Sequence, residues 1–244
     1  MKKLKTIHTS RTMMFNELGK VMAYSLDDDR FLESLEENVT GKKSNSGAVK
    51  TANYLKRLYG FDIHYPAFAA FKYFWRISEP HEKPMIAFVY ATNQDDILAE
   101  SIEVMQNVKP GEKASVELFE EVIERYHPHK YSPNTLRSMA QNVASSWKQA
   151  GFIEGKVKNI RIQPEIGYRV ACFAFLLAYL NGDRGDYIWN STGVNALCLY
   201  ETKLRELAFE CAKRDLMQYQ SAGSVTAISF TNLLNKIGIN GDKS

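Results

Sequence analysis

Polar side chains that could contact nucleic-acid bases recur along one face of a predicted helix in the middle of the chain. They are Asn134, Arg137, Ser138, Gln141, Asn142, Ser145, Lys148 and Gln149. None of them is acidic. Arg, Asn and Gln can make paired hydrogen bonds to guanine and adenine edges in the major groove, whereas Ser and Lys more often hold phosphate. We therefore predict a groove-reading face comprising Arg137, Gln141, Asn142, Ser145 and Lys148, with Ser132 and Asn134 near phosphate at the helix start.

The charge around this helix differs from that of the whole chain. Between residues 125 and 164 there are seven basic side chains and one acid, Glu154, which gives +6. The whole chain carries 31 basic and 28 acidic residues, or +3, so the rest of the molecule sums to −3. An ordinary solvated helix mixes both signs. The alternative is a core helix whose outer face happens to be rich in amides.

Both ends of this helix can be placed from the sequence. Ser132 can cap the N-terminus, Pro133 suits the first helical position, and Gly151 suits the left-handed residue just past the end. Apolar residues at helical spacing predict the buried stripe. They are Leu136, Met139, Ala140, Val143, Trp147 and Ala150.

A short hairpin is predicted directly after the helix, with strands over residues 152–154 and 157–163 around Gly155 and Lys156. Lys156, Lys158 and Arg161 are expected to project from it and meet phosphate or a minor groove. A supporting helix begins at Ser115, and the connection over residues 127–131 is longer than in a tight helix-turn-helix. A winged helix with a loose turn fits this order better.

A second basic segment lies near the N-terminus, where residues 38–61 contain no acid. A helix is predicted from Ser44 or Ser46 to Leu58, ending at Gly60. We expect Lys42, Lys43, Ser44 and Lys50 to form a second contact with a nucleic-acid backbone.

The remaining periodicity predicts a mostly α-helical bundle with a winged helix-turn-helix and a second short β-hairpin near the C-terminus. The expected divisions are an N-terminal helical domain over residues 1–110, a winged-helix segment over 111–164 and a C-terminal helical region over 165–244. Helices are expected near residues 84–92, 94–108, 168–180 and 201–214, and the second hairpin over 216–220 and 225–230. Because a helix again precedes a hairpin there, the C-terminal region is a candidate second, degenerate winged helix. It is nearly neutral, which favours packing or dimer contacts.

Catalytic and metal-binding patterns are scarce. His127 and His129 lack further ligands at metal-binding spacing, and the acids at 27–29 fit a helix-capping turn. There is no glycine-rich phosphate loop, nucleophile elbow or visible Ser and His pairing. We therefore expect no enzyme, cofactor or metal. Three cysteines without ligand spacing, no secretory signal and an apolar run of only residues 170–180 predict a cytoplasmic protein.

Two segments resemble BrxA-type proteins of BREX phage-exclusion systems. Residues 37–61, ENVTGKKSNSGAVKTANYLKRLYGF, are similar to a block in which a Glu-Asn pair precedes a basic turn and a basic helix. Residues 132–155, SPNTLRSMAQNVASSWKQAGFIEG, are similar to the family's final helix. The likeness covers about the first 165 residues. It implies a DNA-binding accessory protein with a NusB-like helical part, acting beside a methyltransferase and an ATPase in defence against phage.

The leading hypothesis is thus a non-enzymatic protein of a phage-defence system that binds double-stranded DNA. Three alternatives stay open: a helical module that assembles the defence complex, an RNA-binding factor similar to an antiterminator, and a transcriptional regulator. Affinity for duplex DNA that falls steeply with salt separates the first hypothesis from a protein-assembly role.

Overall fold

The computed structural model describes residues 4–155, 157–222 and 225–239, which are mostly helical with two short antiparallel hairpins. The predicted fold class is confirmed at this level. The chain forms two compact units, each built from two stretches of sequence. Unit 1 comprises Met1–Phe61 and Ala91–Pro164, and unit 2 comprises Asp62–Tyr90 and Glu165–Ser244. The domains predicted in chain order, with boundaries near 110 and 164, stay a prediction.

Helices dominate both units, and the boundary between the units at Tyr90 falls inside the helix Lys83–Gln94. In chain order they are α1 (Phe15–Ser25), α2 (Phe31–Glu36), α3 (Asn45–Tyr59), α4 (Pro66–Ile77), α5 (Lys83–Gln94), α6 (Asp96–Glu100), α7 (Ile102–Asn107), α8 (Val116–Tyr126), α9 (Pro133–Gln149), α10 (Tyr168–Leu180), α11 (Thr192–Asn195), α12 (Glu201–Ala212) and α13 (Thr231–Lys236). Within the described ranges, no helix combines the length and apolar character needed to cross a bilayer.

The predicted single helix over residues 94–108 is wrong in one respect, because α6 ends before Ser101 and α7 begins after it. The Ser101 hydroxyl donates to the carbonyl of Leu98 at 2.6 Å and accepts the Trp147 indole N–H at 2.8 Å. The interruption thus places a polar group where the buried Trp147 needs an acceptor.

The core of unit 1 is centred on the packing of α8 against α9. Phe119 and Ile123 of α8 are buried, as are Met139, Val143 and Trp147 of α9. The apolar stripe predicted for α9 is therefore confirmed, except that its first member, Leu136, is half-exposed. Burial of these large side chains provides most of the stabilisation that holds the two helices together.

A small sheet follows α9. β1 (Ile153–Glu154) pairs antiparallel with β2 (Ile160–Arg161), so both strands are shorter than predicted. The other edge of β2 meets residues 111–114: Arg161 N–H donates to the Glu112 carbonyl at 2.8 Å, and Lys113 lies opposite Ile160. The hairpin is thereby fixed to the chain that precedes α8.

Unit 2 contains the most apolar helix, α10, whose residues from Val170 to Ala178 are all buried. Phe71 and Phe74 of α4 contact Phe173, with ring centroids 6.1 and 5.4 Å apart. The aromatic residues Phe71 and Phe74 of α4 therefore belong to the core of this unit. β3 (Gln218–Ala222) pairs antiparallel with β4 (Val225–Ser229), close to the predicted second hairpin. Cys172 is buried in the same unit, and burial raises the pKa of its thiol.

Candidate nucleic-acid interface

The N-terminus of α9 is built as the sequence predicted. The Ser132 hydroxyl accepts the N–H of Thr135 at 3.3 Å, and Pro133 occupies the first helical position. After α9 ends, Gly151 adopts a φ of 88°, a conformation that costs glycine little. These ends fix which residues of α9 can face solvent.

The two halves of α9 have different surroundings. Asn134, Arg137, Ser138 and Gln141, in the first half, are exposed. In the second half every residue is buried or half-buried, and the proposed contacts Ser145 and Lys148 are among the half-buried ones. The exposed polar face is therefore concentrated in the first half.

The second half of α9 is covered by an N-terminal segment over residues 6–13. The Asn142 side-chain amide donates to the carbonyl of His8 at 2.9 Å, and the Ser146 hydroxyl accepts the N–H of Met13 at 2.8 Å. Just beyond this segment, the N–H of Phe15 donates to the Gln149 side chain at 3.1 Å. Asn142 therefore binds the protein's own backbone, at the edge of the polar face.

Arg137 is the only arginine on α9, and it pairs with two carboxylates of α8. Its Nη1 lies 2.7 Å from Glu117 Oε1 and 3.0 Å from Glu120 Oε1. The hydrogen bond from Arg137 lowers the pKa of Glu117 to about 2, and both carboxylates raise the pKa of Arg137. The absence of acidic residues from the α9 sequence therefore does not extend to the folded surface around Arg137.

The three basic residues predicted to project from the hairpin differ in their surroundings. Arg161 does not project as predicted: it is 2 % exposed, and its guanidinium donates to the carbonyls of Met105 and Ile162 and to Gln163. Pairing on both edges makes β2 a central strand, and the Arg161 side chain lies on the face that packs against the end of α7, where it reaches the Met105 carbonyl. Lys158 is exposed, as expected. Lys156 lies outside the described residues.

The Lys148 side chain of α9 contacts the hairpin directly. Its ammonium group donates to the Asn159 side chain at 2.9 Å, on the turn before β2. Lys148 and the hairpin therefore belong to one local surface, while the exposed first half of α9 lies further along the same helix.

The second basic segment keeps only part of its predicted set at the surface. Lys42 is half-buried and lies 2.7 Å from Glu17, and the Ser44 hydroxyl accepts the N–H of Gly47 as the cap of α3. Lys43 and Lys50 are exposed. Lys42 and Ser44 thus have defined structural contacts, and Lys43 and Lys50 are available for a partner.

A buried Ser, His and Asp arrangement lies beside α9, although no such pairing was visible in the sequence. His8 Nε2 lies 2.9 Å from the Ser146 hydroxyl, and His8 Nδ1 lies 2.9 Å from Asp95 Oδ2. Asp95 also accepts the N–H groups of Ile7 and Leu98 at 2.7 and 3.0 Å. The three side chains are far apart in the chain, so no local spacing could have predicted their contact.

This arrangement has the atom order of a hydrolytic triad, but its surroundings are those of a structural network. A nucleophile must reach a substrate carbonyl, and Ser146 is fully buried with its hydroxyl bonded to the backbone of Met13 and Asn142. Burial alone would raise the pKa of Asp95, but the charge and hydrogen bond of His8 and the backbone N–H donors lower it overall. The network fixes the N-terminal segment against α9.

The two histidines considered as metal ligands lie in different surroundings. His127 Nε2 lies 2.9 Å from Glu100 Oε2, whereas His129 is almost fully exposed near Glu124. Burial is the largest influence on Glu100 and raises its pKa. Among the described residues, no three His, Cys, Asp or Glu side chains are grouped to hold a metal ion.

The carboxylate partners of Arg137 lie outside residues 125–164, but the sequence of α8 contains an indication of them. Glu117 and Glu120 occupy helical positions three apart, outside the apolar stripe that buries Phe119 and Ile123. Packing of α8 against α9 would have suggested an interhelical ion pair. Comparison with known proteins adds no assignment, since no known family model and no curated protein matches the chain.

Proposed function

We propose that this chain is a non-enzymatic protein that binds double-stranded DNA through the exposed first half of α9 and the following hairpin. The observation that carries the proposal is the order of elements in unit 1. An extended segment at residues 111–114, α8, α9 and the β1-β2 hairpin follow one another, and the segment pairs with β2. That order is typical of a winged helix, in which the last helix enters the major groove.

The side chains exposed on α9 support contact with base edges. Gln141 carries an amide, which can pair with adenine, and Arg137 can make a bidentate contact with guanine. Asn134, at the helix start, can donate to a phosphate oxygen. In the absence of DNA, Glu117 and Glu120 hold Arg137. We infer that Arg137 exchanges these carboxylates for a base or a phosphate when DNA binds.

Phosphate contacts would come from the hairpin side of the same surface. Lys158 is exposed near β2, and Lys148 is joined to the turn through Asn159. Such contacts position a protein on a duplex and make its affinity sensitive to salt. Arg161, being buried, stabilises the hairpin instead.

Placement in a BREX defence system, beside a methyltransferase and an ATPase, rests on the resemblance of residues 37–61 and 132–155 to BrxA-type proteins. The genes neighbouring this one on its genome test that placement. Genes for a methyltransferase and an ATPase are expected there, and their absence would remove the reason for the assignment.

A second candidate function, assembly with another protein, is favoured by a groove beside α7 and α8. This groove of about 370 Å³ is lined by apolar Val104, Val108, Leu118 and Val122, together with charged residues such as Arg125. Capture of a partner that persists at high salt, without any shift of duplex DNA, would favour this function over DNA binding.

Fluorescence anisotropy with a labelled duplex tests the main proposal. Asn134→Ala with Gln141→Ala should weaken binding about tenfold or more, because the lost Gln141 contact to a base removes about 1 kcal/mol or more and the lost Asn134 amide removes a donor to phosphate. Asn232→Ala with Asn235→Ala, two exposed amides of α13, is the matched control and should bind normally. Equal affinity of all three proteins, or stronger binding to single-stranded RNA, would reject the proposal.

Lys158→Glu should weaken binding to unrelated duplexes alike and make the salt dependence shallower by about one unit of slope. Lys203→Glu, an exposed lysine of α12, controls for the change in net charge. Preference for one operator sequence would instead favour a transcriptional regulator.

A further inference from the structure

A line of hydrogen-bond donors runs along the exposed face of α3. Ser46, Lys50, Asn53 and Arg57 recur at intervals of four, three and four residues, and all four are exposed. Lys43 is exposed just before the helix begins. With about 1.5 Å of rise per residue, the line from Ser46 to Arg57 extends for about 16 Å. We call these five side chains the α3 row.

The cations of the α3 row have no acidic partners among the residues that the structure describes. Within the part of the chain that the structure describes, Lys43, Lys50 and Arg57 take part in none of the ion pairs. Lys42, in contrast, pairs with Glu17 at 2.7 Å. An ordinary solvated helix would mix both signs along this face.

Two guanidinium groups are held near the row by one aromatic ring. The guanidinium carbons of Arg11 and Arg57 lie 5.0 and 5.9 Å from the centroid of Tyr54. The side chain of Arg57 also donates to the carbonyl of Thr6 at 2.8 Å. Both positive charges are thus held beside the same ring next to the α3 row, where they add to the attraction for an anionic partner.

We propose that Lys43, Lys50, Arg57 and Arg11 form a second binding surface for the sugar-phosphate backbone of DNA. A line of about 16 Å is too long for a single phosphate group and reaches several phosphates of a duplex. It therefore fits an extended polyanion better than one compact anion. The amide of Asn53 and the hydroxyl of Ser46 add neutral donors for phosphate oxygens.

The N-terminal segment connects this surface with α9. Its Thr6 and Met13 carbonyls accept from Arg57 and Tyr59 of α3, while its His8 carbonyl accepts from Asn142 of α9. The segment therefore lies between the two helices, with Arg11 exposed on it. The choice of duplex DNA as the polyanion rests on the proposed function, because one duplex could contact both surfaces.

The test is a salt titration of duplex binding by the full-length chain carrying Lys43→Gln with Lys50→Gln. If each lysine neutralises one phosphate, the slope of log affinity against log salt becomes shallower by about two. Affinity in about 0.1 M salt should fall at least tenfold, and Lys43→Arg with Lys50→Arg should restore both values. Lys203→Gln with Lys213→Gln, exposed on α12 and just after it, is the matched control. Thermal unfolding of each variant checks that folding is unchanged.

The outcomes separate this inference from the proposed function. An unchanged slope with Lys43→Gln and Lys50→Gln, while the α9 variants lose affinity, would overturn the second surface and leave the function standing. Loss confined to the α3 variants would support the surface and count against reading by α9. A wild-type chain that ignores duplex DNA at low salt, or binds polyglutamate equally well, would overturn the assignment to nucleic acid.

Discussion

The faces of α3 and α9 are similar in sequence and different in structure. Each helix lacks acidic residues, and each begins with a serine cap, Ser44 or Ser132. On α9, however, Arg137 is paired with α8 and the second half of the helix is covered by the N-terminal segment. On α3 the exposed row continues along most of the helix. A basic stretch of sequence therefore predicts an unpaired basic surface only when no neighbouring helix brings carboxylates to it.

The largest expected effect is a difference in the free energy of unfolding between substitutions in the two halves of α9. Trp147→Ala should lower the free energy of unfolding by about 4 kcal/mol, because it removes a fully buried indole and leaves a cavity. Gln141→Ala, on the exposed half, should change it by less than about 0.5 kcal/mol. Urea unfolding measures both values, and similar losses would contradict the division of the helix.

The packing of the N-terminal segment on α9 should depend on Asp95, whereas the α3 row should not. Asp95→Asn should cost about 3 kcal/mol at neutral pH, because it breaks a buried pair with His8. Since the pKa of Asp95 is lowered in the folded state, its contribution is present above its ordinary value of 3.8 and is lost as the pH falls below it.

Urea unfolding of the wild type and the Asp95→Asn variant at a series of pH values measures this contribution. The difference between the two proteins should shrink below about pH 4, where an unperturbed Asp becomes protonated. A difference that grows on acidification would contradict the assigned charge state.

The carboxylates beside Arg137 should limit DNA binding by α9. Glu117→Gln with Glu120→Gln should raise duplex affinity about fivefold to tenfold, because it removes two repelling charges and makes one arginine available, with a salt slope steeper by about one. Glu33→Gln with Glu36→Gln, exposed acids at the same spacing on α2, is the control. Anisotropy titrations compare the pairs, and weaker binding by the α8 variant would contradict competition for Arg137.

Removal of the N-terminal serine caps, which α3 and α9 have in common, should change the free energy of unfolding least. Ser132→Ala and Ser44→Ala each remove a hydroxyl that accepts a backbone N–H, and each should cost about 1 kcal/mol. Replacement of either serine by Asp should retain most of the stability. An unfolding free energy unchanged by Ser132→Ala would contradict the capping role.

Local features of the fold were predictable because short-range physics determines them. Ser132, Pro133 and Gly151 set the ends of α9, and the helix predicted over residues 168–180 has the bounds of α10. The break at Ser101 was not predictable, because it depends on an indole 46 positions away. The strand lengths were overestimated because pairing to residues 111–114, rather than alternation alone, determines them.

The candidate site was predictable only in part. Asn134, Gln141 and Lys158 are exposed as expected, since their helix and turn positions follow from local pattern. Arg161 and Asn142 instead make internal hydrogen bonds, because distant segments at residues 105 and 8 supply the acceptors. Charge counted along a chain cannot include such partners.

Site-specific photocrosslinking tests the central claim most directly. A benzophenone amino acid at Gln141, on the exposed half of α9, should crosslink to labelled duplex DNA, and an excess of unlabelled duplex should abolish the product. The same group at Glu206, exposed on α12, serves as the control and should give little product. Crosslinking at Glu206 equal to that at Gln141, or none at Gln141 under conditions where the duplex is bound, would contradict binding through α9.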